Sequence, residues 1–297
     1  RVIGMPVTQA ECETVFQRLA LPFEALSVQG DVHFVVTPPS WRFDLQIEED
    51  LIEEIVRVVG FDKLPKRAPK APVTPLVRPE GRKSLYAVRR GVAARGYQEV
   101  ITFSFVEERW EAELAGNTHP IRVLNPIASP LAVMRSSLVG SLVDILKNNL
   151  ARKAERVRLF EVGRVFLRDA SVVDSDQTVG GFHQPVRVAG LAYGPADALQ
   201  WGSASRNVDF FDVKGDVEAL LAPRQPAFVA AEHPAFHPGR CAQVVIDGKA
   251  VGFVGELHPK WRQSYDLPQA PVLFELDADA LTQRVVPAFT SVPKMQS

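Results

Sequence analysis

Pro39-Ser40-Trp41-Arg42-Phe43-Asp44-Leu45 leads through Gln46-Ile47-Glu48 into Glu49-Asp50-Leu51-Ile52-Glu53-Glu54-Ile55, and the stretch closes at Gly60-Phe61-Asp62. Ile47, Leu51, Ile55 and Val58 recur at helical spacing, so a helix is expected from about Ile47 to Val59, with Asp44 as its cap and Gly60 as its stop. Upstream, Thr8 and Glu11 have the spacing of a capping box before Cys12, Val15, Phe16 and Leu19, which form a second apolar stripe. Between the two helices, Phe23 to Val28 and Val32 to Thr37 flank Gln29-Gly30-Asp31, a hairpin turn signal, and Pro38-Pro39 ends the second strand. Helix, hairpin and helix within residues 1–64 suggest a small winged-helix-like domain.

Residues 65–80 change character. Pro65, Pro69, Pro72, Pro75 and Pro79 alternate with Lys and Arg, a composition that favours extended linker. A second domain is placed at 81–286. It opens with a helix over Arg82 to Arg95, stopped by Gly96, and a strand over Val100 to Phe105 with Ile101, Phe103 and Phe105 on one face. Beyond Asn125-Pro126, Leu138, Leu142, Ile145, Leu146 and Leu150 mark a longer helix. Arg152, Lys153, Arg156 and Arg158 follow near its end, where cations suit the helix dipole. Strands are expected over Arg156 to Arg168, Val186 to Tyr193, Phe228 to Ala231, Ala242 to Ile246, Ala250 to Val254 and Val272 to Leu276, with one helix, Phe211 to Leu221, among them. Ile246-Asp247-Gly248-Lys249 carries a hairpin turn signal. Consecutive strands joined by tight turns make this domain α+β, a mainly antiparallel sheet flanked by helices.

The balance of 34 Lys plus Arg against 35 Asp plus Glu gives no global field for nucleic acid or an anionic membrane. Cys12 and Cys241 are far apart and have no second Cys or His at metal spacing, so neither a disulfide framework nor a zinc site is expected. No leader and no run of about 18 apolar residues is visible, which excludes a membrane span and fits a cytoplasmic setting. The chain begins at Arg1 and is read as an excerpt of a longer protein.

Asp44, Asp50, Glu53 and Glu54 are the sharpest candidates for chemistry. Positions 50, 53 and 54 share a helix face, so their carboxylates could converge on a hard cation, although acids in a first helical turn also stabilise the macrodipole without any ligand. His233 and His237 have a two-histidine spacing, but Pro234 between them and Pro238-Gly239 after them argue for a loop. No nucleophile motif or phosphate-binding glycine loop is present. The basic run 152–158 could touch phosphate. The candidate recognition helix 47–59 is acidic with Arg57 as its one cation, which weighs against the alternative of a nucleic-acid-binding winged-helix protein.

The opening stretch, Asn125-Pro126-Ile127, Met134-Arg135-Ser136-Ser137-Leu138, Leu159-Phe160-Glu161-Val162-Gly163-Arg164-Val165-Phe166, Phe211-Asp212-Val213-Lys214-Gly215-Asp216-Val217, His237-Pro238-Gly239-Arg240 and Gly252 to Pro259 together resemble the β subunits of bacterial phenylalanyl-tRNA synthetase, motif by motif and in order. The resemblance implies a winged-helix-like domain followed by a class II synthetase-like module. It implies a non-catalytic subunit of phenylalanine–tRNA ligase, paired with a catalytic α subunit that binds ATP, in a heterotetramer of two α and two β subunits that serves tRNA(Phe). It also implies Mg²⁺ in a site shared with the α subunit, and the matching positions are Asp44, Asp50, Glu53 and Glu54. The elements Arg82 to Arg95 and Val100 to Phe105 are expected to face the α subunit. Two departures imply that the chain alone is inactive: Leu167 falls where the second class II motif needs an arginine, and no G-x-G-x-x-R third motif follows. Residues 287–297, including Ser291-Val292-Pro293-Lys294-Met295, resemble the start of an anticodon-binding domain.

Overall fold

The computed structural model describes residues 2–291 apart from 67, 69, 74–76, 78 and 203. Part of the proline-rich stretch 65–80, and all of 291–295 but Ser291, therefore lie outside the described residues. The chain divides into two compact units, Arg1–Leu76 and Val77–Ser297.

In the first unit, helix α1 (Gln9–Arg18), strands β1 (Phe23–Val28) and β2 (Asp31–Val36), and helix α2 (Glu48–Val59) follow in order. The Thr8 side chain accepts from the Glu11 amide, and Glu11 accepts from the Thr8 amide at 2.8 Å, completing the capping box. Gln29 and Gly30 both have positive φ, the two-residue turn that lets Val28 pair with Asp31. Phe16, Leu21 and Leu45 are buried, with Phe23, Phe34, Leu51 and Ile55 packed against them. The cap of α2 differs from expectation. Ile47 occupies the N-cap position, and Asp50 reaches back to accept from the amides of Gln46 and Ile47 at 2.8 and 2.9 Å, while Asp44 turns to Arg42. Ile47 is consequently exposed, outside the buried stripe.

The second unit opens with α3 (Leu85–Ala93), β3 (Gln98–Glu99), β4 (Phe105–Val106), α4 (Glu108–Trp110) and a wide π turn at Glu111–Ala115. Next come β5 (Ile121–Arg122), β6 (Val133–Met134), α5 (Val139–Ala151), β7 (Val157–Arg164), β8 (Leu167–Arg168), β9 (Phe182–His183) and β10 (Val186–Tyr193). It ends with α6 (Phe210–Leu221), β11 (Ala227–Ala230), β12 (Phe236–Ile246), β13 (Lys249–Leu257), α7 (Pro259–Ser264), β14 (Val272–Asp277) and α8 (Ala278–Thr282). Seven strands make one sheet in the order β11-β12-β13-β14-β10-β7-β3, antiparallel except for the parallel β3–β7 pair. The α+β reading holds. Strand alternation splits the core: Phe160, Val188, Phe274 and Leu276 face α3, α6 and α8 on one side. On the other, Leu159, Leu191 and Leu273 face α5 and Leu114. Gly252, with φ +151°, passes so close to β14 that a Cβ there would sit 2.0 Å from the Glu275 carbonyl oxygen.

The expected strand Val100 to Phe105 does not form. Gln98 and Glu99 pair with β7, the Val100 amide adds one hydrogen bond to the Phe160 carbonyl, and the alternation that follows is inverted. Thr102 turns inward to donate to Glu161 at 2.6 Å, while Ile101 and Phe103 are 93% and 69% exposed. A half-buried hydroxyl with a buried carboxylate partner outweighs the apolar count on the opposite side.

Candidate functional site

In the first unit, the four carboxylates singled out from the sequence are divided between arginines and backbone. Arg42 lies at 2.7 Å from Asp44 and 3.1 Å from Glu54, and Arg57 reaches Glu54 at 2.5 Å. The Arg42 guanidinium holds the Asp44 carboxyl below the usual carboxylate range. Arg57 and then Arg42 do the same for Glu54, which is buried. One oxygen of Asp50 is taken by the two amides that begin α2, and Glu53 is exposed. Among the described residues no three His, Cys, Asp or Glu come together as a metal-binding group. As arranged, the four side chains do not fit a common ion, because two of them are neutralised by arginine.

A folded-state carboxylate pKa held below its usual value contributes stability above that value, and the contribution is lost as pH falls through the folded pKa. The protection factors of α2 amides in the intact chain, that is, exchange corrected for its intrinsic pH dependence, are therefore expected to fall as the pH is lowered below the ordinary carboxylate range. Glu54→Gln should flatten that dependence; an unchanged slope would place the acid sensitivity elsewhere.

In the second unit the polar chemistry converges on Met134-Arg135-Ser136-Ser137-Leu138, which is gripped by three buried glutamates. Arg135 pairs with Glu161 at 2.9 Å, both almost fully buried, and also donates to Thr102 Oγ1 at 2.7 Å and to the Arg164 carbonyl at 3.0 Å. Ser136 donates its amide and hydroxyl to Glu111 at 2.9 and 2.5 Å. Ser137 Oγ and the Leu138 amide donate to Glu275 at 3.1 and 2.6 Å, and the other oxygen of Glu275 accepts from Arg187 at 3.1 Å. Gly163 makes room for this, since a Cβ there would lie 2.3 Å from an Arg135 nitrogen. These carboxylates are fully engaged in holding a chain segment against the sheet.

Leu167 borders a cleft of about 830 Å³ shared with Arg164, Arg187, Arg224, Asp277 and Asp279. Its arginines are committed. Arg164 donates to the Gln184 carbonyl at 2.8 Å, Arg187 pairs with Glu275 and, at 3.7 Å, with Asp277, and Arg224 donates to Gln283 and to the Ala280 carbonyl. The basic run 152–158 does not form one patch either. Arg158 points inward to Asp216 at 3.0 Å, over the ring of Tyr97, and Arg156 donates to the Pro195 carbonyl. His233 is sandwiched by Phe236 and Phe253, and burial pushes its imidazole down to about 4. Its Nδ1 accepts from the Ala235 amide and that of His237 from the Gly239 amide; the expected loop is not what forms at His237, which lies inside β12 where the pairing with β13 is irregular between Phe236 and Cys241.

Two family models match in tandem: the tRNA synthetase B5 domain over residues 1–61, and the phenylalanyl tRNA synthetase beta chain CLM domain over residues 64–278. The chain belongs to the phenylalanyl-tRNA synthetase beta chain family. Within that family it is 58% identical over 295 residues to the phenylalanine–tRNA ligase beta subunit of Cupriavidus pinatubonensis and 57% identical to that of Ralstonia nicotianae. Each match takes in 99% of this chain and 36% of the relative, so the chain spans about a third of the length of these relatives. A pyrrolysyl-tRNA synthetase of Desulfitobacterium hafniense aligns with a TM-score of 0.46 and 12% identity, over 68% of this chain and 69% of that one. In this member of the phenylalanyl-tRNA synthetase beta chain family, sequence reasoning missed the inward roles of Thr102, Glu111 and Glu275. Nothing local marks them, because Glu275 and Leu138 meet across 137 positions.

Proposed function

We propose that the chain is a non-catalytic part of the β subunit of a phenylalanine–tRNA ligase, supporting a catalytic α subunit that binds ATP and charges tRNA(Phe) in the cytoplasm. In this reading residues 1–64 are the winged-helix-like domain, 65–80 the linker, 81–286 the class II-like module and 287–297 the start of an anticodon-binding domain. Two such subunits would join two α subunits. The observation that carries the reading is the inverted burial at 101–103. Ile101 and Phe103 line a cleft of about 400 Å³ with Phe105, Trp110 and Leu131, with Glu107, Ser141 and Asp144 also in its wall, and two large exposed apolar side chains at such a cleft favour a protein interface over a solvated edge. Among the described residues no helix is long and apolar enough to cross a membrane.

Charge reversal at Arg89 on α3 and at Arg95 just beyond it is a poor probe of this interface, because Arg89 pairs with Glu99 and Arg95 with Asp216 inside the unit. Ile101→Asp with Phe103→Asp is the better one. Co-expression with the α subunit followed by gel filtration should give one complex for the parent. The double variant should bind α about 100-fold more weakly, on the order of 2.7 kcal/mol. Equal affinity of parent and variant overturns the reading.

For Mg²⁺ the reading narrows from four ligands to Glu53 and the free oxygen of Asp50, since Asp44 and Glu54 would first have to leave their arginines; no step is assigned to the ion. The nucleic-acid-binding alternative is disfavoured by the exposed Glu48, Glu49 and Glu53 on α2.

A further inference from the structure

Three backbone amides around the join of β12, β13 and α7 are capped by imidazoles. The Ala235 amide donates to His233 Nδ1 at 3.2 Å, the Gly239 amide to His237 Nδ1 at 2.9 Å, and the Lys260 amide to His258 Nδ1 at 3.0 Å. The last two lie where regular structure offers no partner. Residues 237–240 of β12 have no register partner on β13, and Lys260 is in the first turn of α7, where amides find no carbonyl within the helix. The capped pieces are also tied to one another. The His258 amide donates to the Ala235 carbonyl at 2.8 Å, Trp261 Nε1 donates to the Pro234 carbonyl at 2.7 Å, and His233 and His258 share the wall of a groove of about 440 Å³.

An imidazole accepts at Nδ1 only while that nitrogen carries no proton. The imidazolium donates from both nitrogens and would turn an N–H towards each of these amides. All three caps therefore belong to the neutral form, with the proton on Nε2. At His233 the surroundings favour that form, because Phe236 and Phe253 cover the ring at centroid distances of 4.7 and 4.9 Å and the Arg187 charge on β10 opposes a second cation. Of the other charged groups nearby, Glu232 lines the same groove, Glu256 is paired with Arg240, and Lys260 lies over the ring of Trp261.

We propose that His233, His237 and His258 form an acid-release latch: neutral, they hold residues 232–239 and the start of α7 together as one unit, and protonated, they free that unit while the sheet stays paired. The latch is independent of the functional reading above. Burial holds the His233 imidazole at about 4 in the folded chain, against an ordinary 6.5, so its contribution is complete above that ordinary value and is lost as the pH falls towards the folded one. Between pH 7 and pH 5, His233 alone then makes opening of the unit about twentyfold easier.

Hydrogen exchange of the full-length subunit, read as protection factors so that the intrinsic pH dependence is removed, tests this. Amides of 233–239 and 260–265 should lose protection about twentyfold or more between pH 7 and pH 5, while those of β10 stay protected. Combining His233→Asn, His237→Asn and His258→Asn puts an oxygen that takes no proton where each Nδ1 stood, so protection at pH 7 should be kept and its pH dependence lost. The ¹⁵N shifts of the parent's imidazoles are a readout that needs no variant: at pH 7 each Nδ1 should be bare and each Nε2 protonated. A flat profile in the parent, or a proton on His233 Nδ1 at pH 7, overturns the latch. So does a variant that keeps the parent's profile, which would make Glu232 and Glu256 the responsive groups, or a folded variant left unprotected at pH 7, in which the rings would act by packing alone. If the variant does not fold, the parent's profile and shifts decide.

Discussion

Replacing Arg135 by methionine is expected to lower the unfolding free energy of the second unit by about 3–5 kcal/mol, the usual cost of leaving one partner of a buried ion pair unpaired. Arg135 and Glu161 are almost completely buried at 2.9 Å, and the change would also strip Thr102 and the Arg164 carbonyl of a donor. Glu161 would keep one hydrogen bond, from Thr102. Arg135→Met with Glu161→Met should recover much of the loss, since two apolar side chains in place of a buried pair leave no unpaired charge. Urea unfolding of the parent, the two single variants and the double variant measures this. A single-variant cost below about 1 kcal/mol would mean that water reaches the pair and that the segment is not locked to the sheet.

Local periodicity made much of this fold legible. The strand expected over Val186 to Tyr193 forms with those bounds, and the Asp247-Gly248 turn forms with both residues at positive φ. The stripe through Leu138, Leu142 and Leu146 is fully buried in and beside α5. Periodicity cannot say which side of an alternating segment turns inward when a polar residue has a strong partner far away in the chain, and residues 101–103 are the example. Thr102 wins the inside because Glu161 and Arg135 are waiting there. The same blindness applies to the acidic helix. Its spacing correctly placed Asp50, Glu53 and Glu54 near one another, but only tertiary structure shows Arg42 folding back across 12 positions to take Glu54. The run 152–158 reads as a surface patch for the same reason, since the partner that draws Arg158 inward, Asp216, lies 58 positions away.

Neither the chain by itself nor its Leu167→Arg variant is expected to give ATP–pyrophosphate exchange with phenylalanine above a no-protein control. In class II chemistry the phosphates of ATP are held by preorganised cations, and each such donor is worth roughly 10²–10³ in rate. Restoring one arginine at position 167 would supply one donor to a cleft where the others are spent. Arg164 and Arg224 are bound to backbone carbonyls, and Arg187 is tied to Glu275 and Asp277. Freeing Arg187 would strand Glu275, which holds the start of α5 through Ser137 and Leu138, so activity could be regained only at the expense of the packing that keeps the sheet covered. Asp277 and Asp279 line the same cleft and would face a triphosphate with like charge. Exchange by the parent chain would show that its arginines can be released and would remove the basis for the non-catalytic reading. Exchange by Leu167→Arg alone would show that one missing cation, and not the engagement of the rest, is what silences the site.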